Sequence, residues 1–230
     1  MFDRKAISLS QRLQASPSGI IAEFKRRSPS RDNINSSLSV HTVAQGYEKA
    51  GVCGMSVLTD QKYFGGSLED LIAARTVTQL PLLRKEFIID EYQLIEAKAH
   101  GADVILLIAA ILDRTQIKQL SESAQILGLE VLLEVHNLEE LDKAIMPSLN
   151  LLGVNNRNLK TFEVSIETSK RLAEHIPEDF VKVSESGINT KVAIKKLKPY
   201  GYQGFLIGEN FMKTNTPGIA AAQFIKTLNL

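Results

Sequence analysis

Short, nearly uninterrupted apolar runs alternate along this chain with longer segments whose apolar residues recur at helical spacing. No other feature restricts the fold as much. The clearest runs cover residues 104–108, 131–133, 151–154 and 205–207, and less pure ones begin near Ile20, Met55, Leu82 and Val181. Such runs fit strands buried on both faces, as in a parallel sheet. Each is followed by a helix candidate. Asp90 is placed to cap a helix with Tyr92, Ile95 and Ala99 on its buried face and Gly101 as its stop. Asp113 opens another, with Ile117, Leu120, Ala124 and Leu127 at helical spacing and Gly128 at its end. Further helices are expected near residues 40–50, 68–78, 138–146, 167–176, 189–199 and 217–228.

Eight strand-then-helix units of roughly 25 residues fill most of residues 20–230. They leave a closed (β/α)8 barrel or an open doubly wound sheet. The open fold usually carries a glycine-rich turn after its first strand, and that position here reads Lys25-Arg26-Arg27-Ser28-Pro29-Ser30. The expectation is therefore a single α/β domain over residues 1–230, a (β/α)8 TIM barrel with a short helix before its first strand. Residues 2–13 place Phe2, Ala6, Leu9 and Leu13 on one helical face before Ser16-Pro17-Ser18-Gly19 breaks the pattern. Residues 1–18 are thus expected to be a helical extension capping one end of the barrel.

Charge and cysteine content exclude several classes. With 27 Lys+Arg against 26 Asp+Glu, the formal charge of +1 argues against nucleic acid or an anionic membrane as main partner. The run Lys25-Arg26-Arg27 is weak evidence for nucleic acid on so neutral a chain. Cys53, the only cysteine, excludes an internal disulfide framework and fits a reducing cytoplasm. No stretch approaches the roughly 18 apolar residues of a membrane span, and the N-terminus leads into no apolar signal core. His41, His100, His136 and His175 are scattered without metal-ligand spacing, so no metal is expected. None is read as falling at a strand end beside a nucleophile, and His41 and His175 read as helix-surface residues. No dinucleotide fingerprint or Walker A loop is present.

In such barrels chemistry gathers at the C-terminal strand ends, where burial otherwise demands apolar side chains. Here those ends are polar. Glu23 and Lys25 are two apart on the first strand and share a face; Lys85 lies between Leu83 and Phe87 on the third. Glu134 closes the fifth, Asn155 and Arg157 pair by alternation on the sixth, and Glu185 ends the seventh. A single charge at a strand end is usually a solvated exit, and Glu23 with Lys25 alone could be a structural ion pair. Five such ends together suit an interior pocket for an anionic substrate. Ser186-Gly187 after the seventh strand and Gly208-Glu209 after the eighth lie where phosphate commonly sits in these barrels.

These residues resemble a known family. The segments Ile21-Ala22-Glu23-Phe24-Lys25-Arg26-Arg27-Ser28-Pro29-Ser30, Ser56-Val57-Leu58-Thr59-Asp60, residues 64–71, Leu83-Arg84-Lys85-Glu86-Phe87, Leu133-Glu134-Val135, Gly153-Val154-Asn155-Asn156-Arg157-Asn158-Leu159, Ser184-Glu185-Ser186-Gly187-Ile188 and Gly204-Phe205-Leu206-Ile207-Gly208 resemble, in order, indole-3-glycerol phosphate synthase. The resemblance implies a carbon–carbon lyase of tryptophan biosynthesis. It closes the indole ring of 1-(2-carboxyphenylamino)-1-deoxyribulose 5-phosphate with loss of carbon dioxide and water, using no metal or organic cofactor.

By the same resemblance Lys85 protonates the ribulose carbonyl, and Glu134 is the base of the later step with Lys25 as partner acid held by Glu23. Which lysine serves which step stays open. Asn155 orients hydroxyl and carbonyl groups, Glu185 holds the polar network, and Arg157 pairs with the substrate carboxylate. Ser28, Ser186, Gly187, Gly208 and Lys25 cradle the phosphate. Phe64 and Phe87 flank the aromatic ring, core packing being the alternative for either. Other tryptophan-pathway enzymes are the implied partners. Two departures stand out: the segment before the first strand is shorter than is usual in the family, and Glu209 replaces a small residue. Its carboxylate is expected to turn away while its N–H contributes. Two rival readings are phosphoribosylanthranilate isomerase and a catalytically silent barrel binding a phosphorylated metabolite. The isomerase needs a cysteine at the end of the first strand, whereas Cys53 precedes the second. Binding alone needs no opposed Lys85 and Glu134.

Overall fold

A computed structural model describes residues 1–228. Eight parallel strands close into a barrel, each beside the next in sequence and the last returning to the first. They are β1 (Ile20–Phe24), β2 (Gly54–Leu58), β3 (Leu82–Lys85), β4 (Val104–Ile108), β5 (Glu130–Val135), β6 (Leu151–Asn155), β7 (Val181–Glu185) and β8 (Tyr202–Ile207). Helix α1 (Leu9–Ala15) precedes them. Between them run α2 (Val40–Ala50), α3 (Gln61–Phe64), α4 (Leu68–Val77), α5 (Glu91–Ala99), α6 (Arg114–Ile126), α7 (Leu138–Ala144), α8 (Glu167–Ala173) and α9 (Lys191–Leu197). After β8 come α10 (Glu209–Met212) and α11 (Pro217–Thr227). The expected strands and long helices all form. Helices α3 and α10, four residues each at the barrel mouth, are too short for periodicity to reveal.

The strands read as continuous apolar runs because both faces are buried. Phe24, Val57, Leu107, Leu133 and Val154 pack outward against the helices, while Ile21, Leu83, Leu106, Leu132, Val183 and Leu206 fill the interior. Leu9 and Leu13 of α1 join that interior cluster, so the helix plugs the barrel floor. Two glycines make room for the plug: a Cβ at Gly54 would lie 2.6 Å from Leu9, and one at Gly204 3.1 Å from Leu13. Glu130 at the start of β5 staples the plug in place. It accepts the Ser8 hydroxyl at 2.5 Å, the Leu9 and Ser10 amides at 2.9 and 3.0 Å, and the Ser10 hydroxyl at 2.6 Å. A carboxylate there satisfies the orphan N–H groups of the first turn and complements the helix dipole.

Two expectations need correction. The N-terminal helix covers Leu9–Ala15 rather than residues 2–13; Phe2 is exposed and Ala6 half-buried outside it. Buried Asp103 takes the Ile7 N–H and the Arg4 guanidinium, both at 2.7 Å, and Arg4 also donates to the carbonyls of Gly101 and Ala102. These bonds tie the leading residues to the floor in a non-helical path. In α5 the caps are as expected, Asp90 and Gln93 forming a reciprocal box. The buried face is not. Tyr92, Ile95 and Ala99 face outward, and Leu94, Ala97 and Lys98 are buried. Buried Arg84 on β3 donates to the Gln93 carbonyl at 2.8 Å and to Glu96 at 2.6 Å, turning that side of the helix to the barrel. Hydrophobic periodicity does not register a polar anchor of this kind.

Leu9→Ala should cost about 2–5 kcal/mol of stability. Glu130→Ala should cost about 2 kcal/mol through the lost charge-assisted bonds. Urea unfolding of each variant checks both values.

Candidate active site

Strand alternation sends the polar side chains of the strand ends into the barrel. Glu23 from β1, Lys85 from β3, Glu134 from β5 and Glu185 from β7 come from alternate strands, as the four members of one interior layer do in such barrels. This layer is polar, and it floors a mouth cavity of about 780 Å3. Lys85 Nζ lies 2.6 Å from Glu185 Oε2, 3.5 Å from Glu23 Oε2 and 3.9 Å from Glu134 Oε2. The ammonium thus occupies the position these carboxylates would offer a cation. Lys25, one step nearer the mouth, pairs with Glu23 Oε1 at 2.7 Å. Asn155 donates to Glu134 Oε1 at 3.2 Å and accepts the Arg157 N–H at 3.0 Å. Two further glycines make these positions possible. A Cβ at Gly153 would sit 2.7 Å from Glu185 Oε1, and one at Gly208 would fall on the Glu23 carboxylate.

Burial and charge set the protonation states. Burial alone would strip Lys85 of its proton, but Glu185, Glu23 and Glu134 together raise its affinity well above that of an ordinary lysine. Burial also opposes ionisation of Glu23, yet Lys25 and Lys85 hold its carboxyl below the usual range. At Glu134 the opposition of burial is outweighed by His136, Lys85 and Asn155, which bring the group down to about 2. At Glu185 burial prevails: with Glu134 and Glu23 nearby, the carboxyl is pushed up to about 7 despite the Lys85 ammonium.

The loops complete the mouth. Ser186 and Gly187 both adopt left-handed backbone, with φ of 65° and 74°. Successive N–H groups in such a turn form a concavity suited to an anion. Only glycine fits at 187, where a Cβ would meet Val164 at 2.6 Å. Buried Asn156 holds the strained serine by donating to the Ser186 carbonyl at 3.0 Å and to Ser184 Oγ at 2.9 Å. Ser28, Gly208 and Glu209 line the same side of the cavity. The Glu209 carboxylate is engaged by Arg31 at 2.5 Å. The Phe64 and Phe87 rings stand 6.4 Å apart between centroids, on the cavity wall rather than in the core. Arg157 lines the cavity, and among the described residues its guanidinium hydrogen-bonds the Phe162 carbonyl alone, at 3.5 Å. All the residues singled out from the sequence therefore border one cavity.

The basic run that opens the first loop is used internally. Arg26 binds Asp70 through two bonds, at 2.5 and 2.8 Å, and Arg27 donates to the Gln61 and Lys62 carbonyls. One residue of the cavity wall region was not singled out from the sequence. His136 directly follows β5, with Nε2 3.3 Å from Glu134 Oε1. Among the described residues its ring meets Glu134 and Glu140 rather than a serine or cysteine. The i, i+2 alternation that pairs Glu23 with Lys25 also pairs Glu134 with His136, and that is the signal that marks it. Cys53 is buried at the opposite end of the barrel, 3.9 Å from Ser18 Oγ.

The chain is thus a closed (β/α)8 barrel with an ammonium set among carboxylates beneath a turn of left-handed backbone, the architecture of a barrel enzyme with its site at the C-terminal strand ends. The architecture recurs in a thiamine phosphate pyrophosphorylase from Pyrococcus furiosus, with TM-score 0.69 at 16% identity, covering 96% of this chain and 98% of that one. It recurs also in KGPDC from Streptococcus mutans, with TM-score 0.67 at 14% identity, covering 92% and 98%. At those identities the likeness is one of fold. A family model described as indole-3-glycerol phosphate synthase matches residues 2–227. Proteins of that name from Bacteroides thetaiotaomicron and Polaromonas naphthalenivorans are 50% and 44% identical. The matches cover 96% and 94% of this chain and 85% and 82% of those relatives. The chain belongs to the indole-3-glycerol phosphate synthase family, carboxy-lyases of tryptophan biosynthesis. Among the described residues no helix is long and apolar enough to cross a membrane.

The raised Glu185 carboxyl means that the native state keeps a proton the unfolded chain loses near pH 4.5. Its contribution to stability is complete below that pH and is lost as the pH rises through about 7. Glu185→Gln should remove this decline. Urea midpoints compared between about pH 5 and 8 should fall more for the wild type than for the variant.

Proposed function

We propose that the polar layer closes the indole ring of 1-(2-carboxyphenylamino)-1-deoxyribulose 5-phosphate. The ring carbon bearing the carboxylate attacks the ribulose carbonyl while Lys85 gives its proton to the carbonyl oxygen. Loss of carbon dioxide restores the aromatic ring. The new hydroxyl then leaves as water with a proton from Lys25, and Glu134 takes a proton from carbon to complete the indole. One observation carries this reading: Lys85 Nζ and Glu134 Oε2 stand 3.9 Å apart on the wall of one cavity, close enough for an acid and a base to serve the same bound substrate.

The surrounding residues fit the substrate. Arg157, whose guanidinium has no ion pair among the described residues, is placed to take the substrate carboxylate through a bidentate contact. Asn155 orients the ribulose hydroxyl and carbonyl groups, Glu23 holds Lys25, and Glu185 steadies Lys85. The turn at Ser186 and Gly187, with Ser28, Gly208 and the Glu209 N–H, receives the phosphate; Arg31 keeps the Glu209 carboxylate from repelling it. Phe64 and Phe87 flank the aromatic ring. An isomerase using a cysteine acid finds no support, since Cys53 lies at the floor. A silent binding barrel would have no use for a buried ammonium opposed to a carboxylate. We read residues 1–230 as one cytoplasmic domain that needs no cofactor and works with other enzymes of tryptophan biosynthesis.

Incubation with the carboxyphenylamino substrate should generate indole fluorescence. Lys85→Ala should lower kcat at least about 100-fold, within the range general acid catalysis contributes, with substrate affinity changed only a few-fold. Unchanged turnover would remove Lys85 from the chemistry. Inorganic phosphate should act as a competitive inhibitor, and a titration showing no competition would remove the phosphate role of the Ser186-Gly187 turn.

A further inference from the structure

We infer that His136 is a positioning residue for Glu134, bridging Glu134 and Glu140 so that one oxygen of the base is pinned and the other is left to work. The inference rests on Glu134 acting as the base. His136 Nε2 lies 3.3 Å from Glu134 Oε1 and Nδ1 lies 3.0 Å from Glu140 Oε2, with the side chain only 9% exposed. The Nε2 contact is electrostatic rather than an aligned hydrogen bond. Glu140 on α7 is itself clamped: Oε2 also accepts the His136 N–H at 2.8 Å, and Oε1 accepts the Asn137 amide at 2.8 Å.

The charged groups facing the ring are Glu134 from β5 and Glu140 from α7, one at each nitrogen. A carboxylate beside each nitrogen favours an imidazolium, since a neutral ring would set the lone pair of its bare nitrogen against one of them. Consistent with this, the two carboxylates outweigh the cost of burial and push His136 up to about 9.

The division of labour follows from which oxygen meets which partner. Oε1 of Glu134 is held by both His136 and the Asn155 amide, while Oε2 faces Lys85 at 3.9 Å. A carboxylate and an ammonium free to approach would settle at about 2.7–2.9 Å, as Lys85 and Glu185 nearly do at 2.6 Å. Such a contact would tie up acid and base together. His136 holds Glu134 back, so that Oε2 keeps a free lone pair toward the cavity.

The test combines His136→Gln, Glu140→Gln and Glu134→Gln. His136→Gln should lower kcat about 10- to 100-fold, a part of the about 10²–10⁴ that a positioned base contributes, with KM within about threefold. The wild type should lose activity above about pH 9 as the imidazolium deprotonates, and His136→Gln should lack that limb. Glu140→Gln leaves the imidazole in place. It should lower the imidazole titration, read by NMR, by about one unit and carry the alkaline limb down with it. Wild-type kcat and pH profile in His136→Gln would overturn the inference, as would an imidazole titrating at the ordinary value. If His136→Gln does not fold, Glu140→Gln decides: a titration that shifts without the limb following also overturns it. Full turnover in Glu134→Gln would instead overturn the reading of Glu134. An inactive Glu134→Gln beside a wild-type His136→Gln sinks only the role of His136.

Discussion

The structure turns on one buried ammonium. Lys85 lies among the carboxylates of Glu23, Glu134 and Glu185, and taking such charges out of water costs several kcal/mol per ion unless their partners are well placed. Those partners come from β1, β5 and β7, strands that an open sheet would hold far apart. Only closure of the barrel brings them around one point. Charge satisfaction and barrel closure therefore support each other, and the interior layer that would otherwise be aliphatic becomes a charged wall of the mouth cavity.

Unequal environments then give chemically similar groups different behaviour. Glu134, with His136, Lys85 and Asn155 around it, remains ionised far into the acid range, whereas Glu185, deeper and beside other carboxylates, titrates close to neutrality. Lys85 and Lys25 differ in the same way: one is ringed by three carboxylates, the other paired with Glu23 nearer solvent. Position in successive barrel layers, more than residue type, separates the groups that hold a proton from those that stay ionised without one.

Much of this was legible in the chain. Apolar runs of strand length marked all eight strands because each is buried on both sides, and polar residues at their ends stood out against that background. Alternation by two correctly gave Glu23 and Lys25 a common face. Periodicity failed where a polar side chain decided the geometry. Arg84 turned α5 so that Tyr92 and Ile95 face water, and Asp103 drew residues 1–8 out of a helix. His136 escaped notice because its significance lies in Glu140 on the following helix, a partner visible only once the chain has folded.

Gly208 carries a consequence for how such a site can diversify. The space its missing side chain leaves is filled by the Glu23 carboxylate, so the loop after β8 and the ion pair of Glu23 with Lys25 share one small space. No larger residue at 208 can reshape that loop without displacing the group that anchors Lys25. Selection for a new ligand and selection for turnover are thereby coupled at this position, and specificity must drift through the outer loops instead.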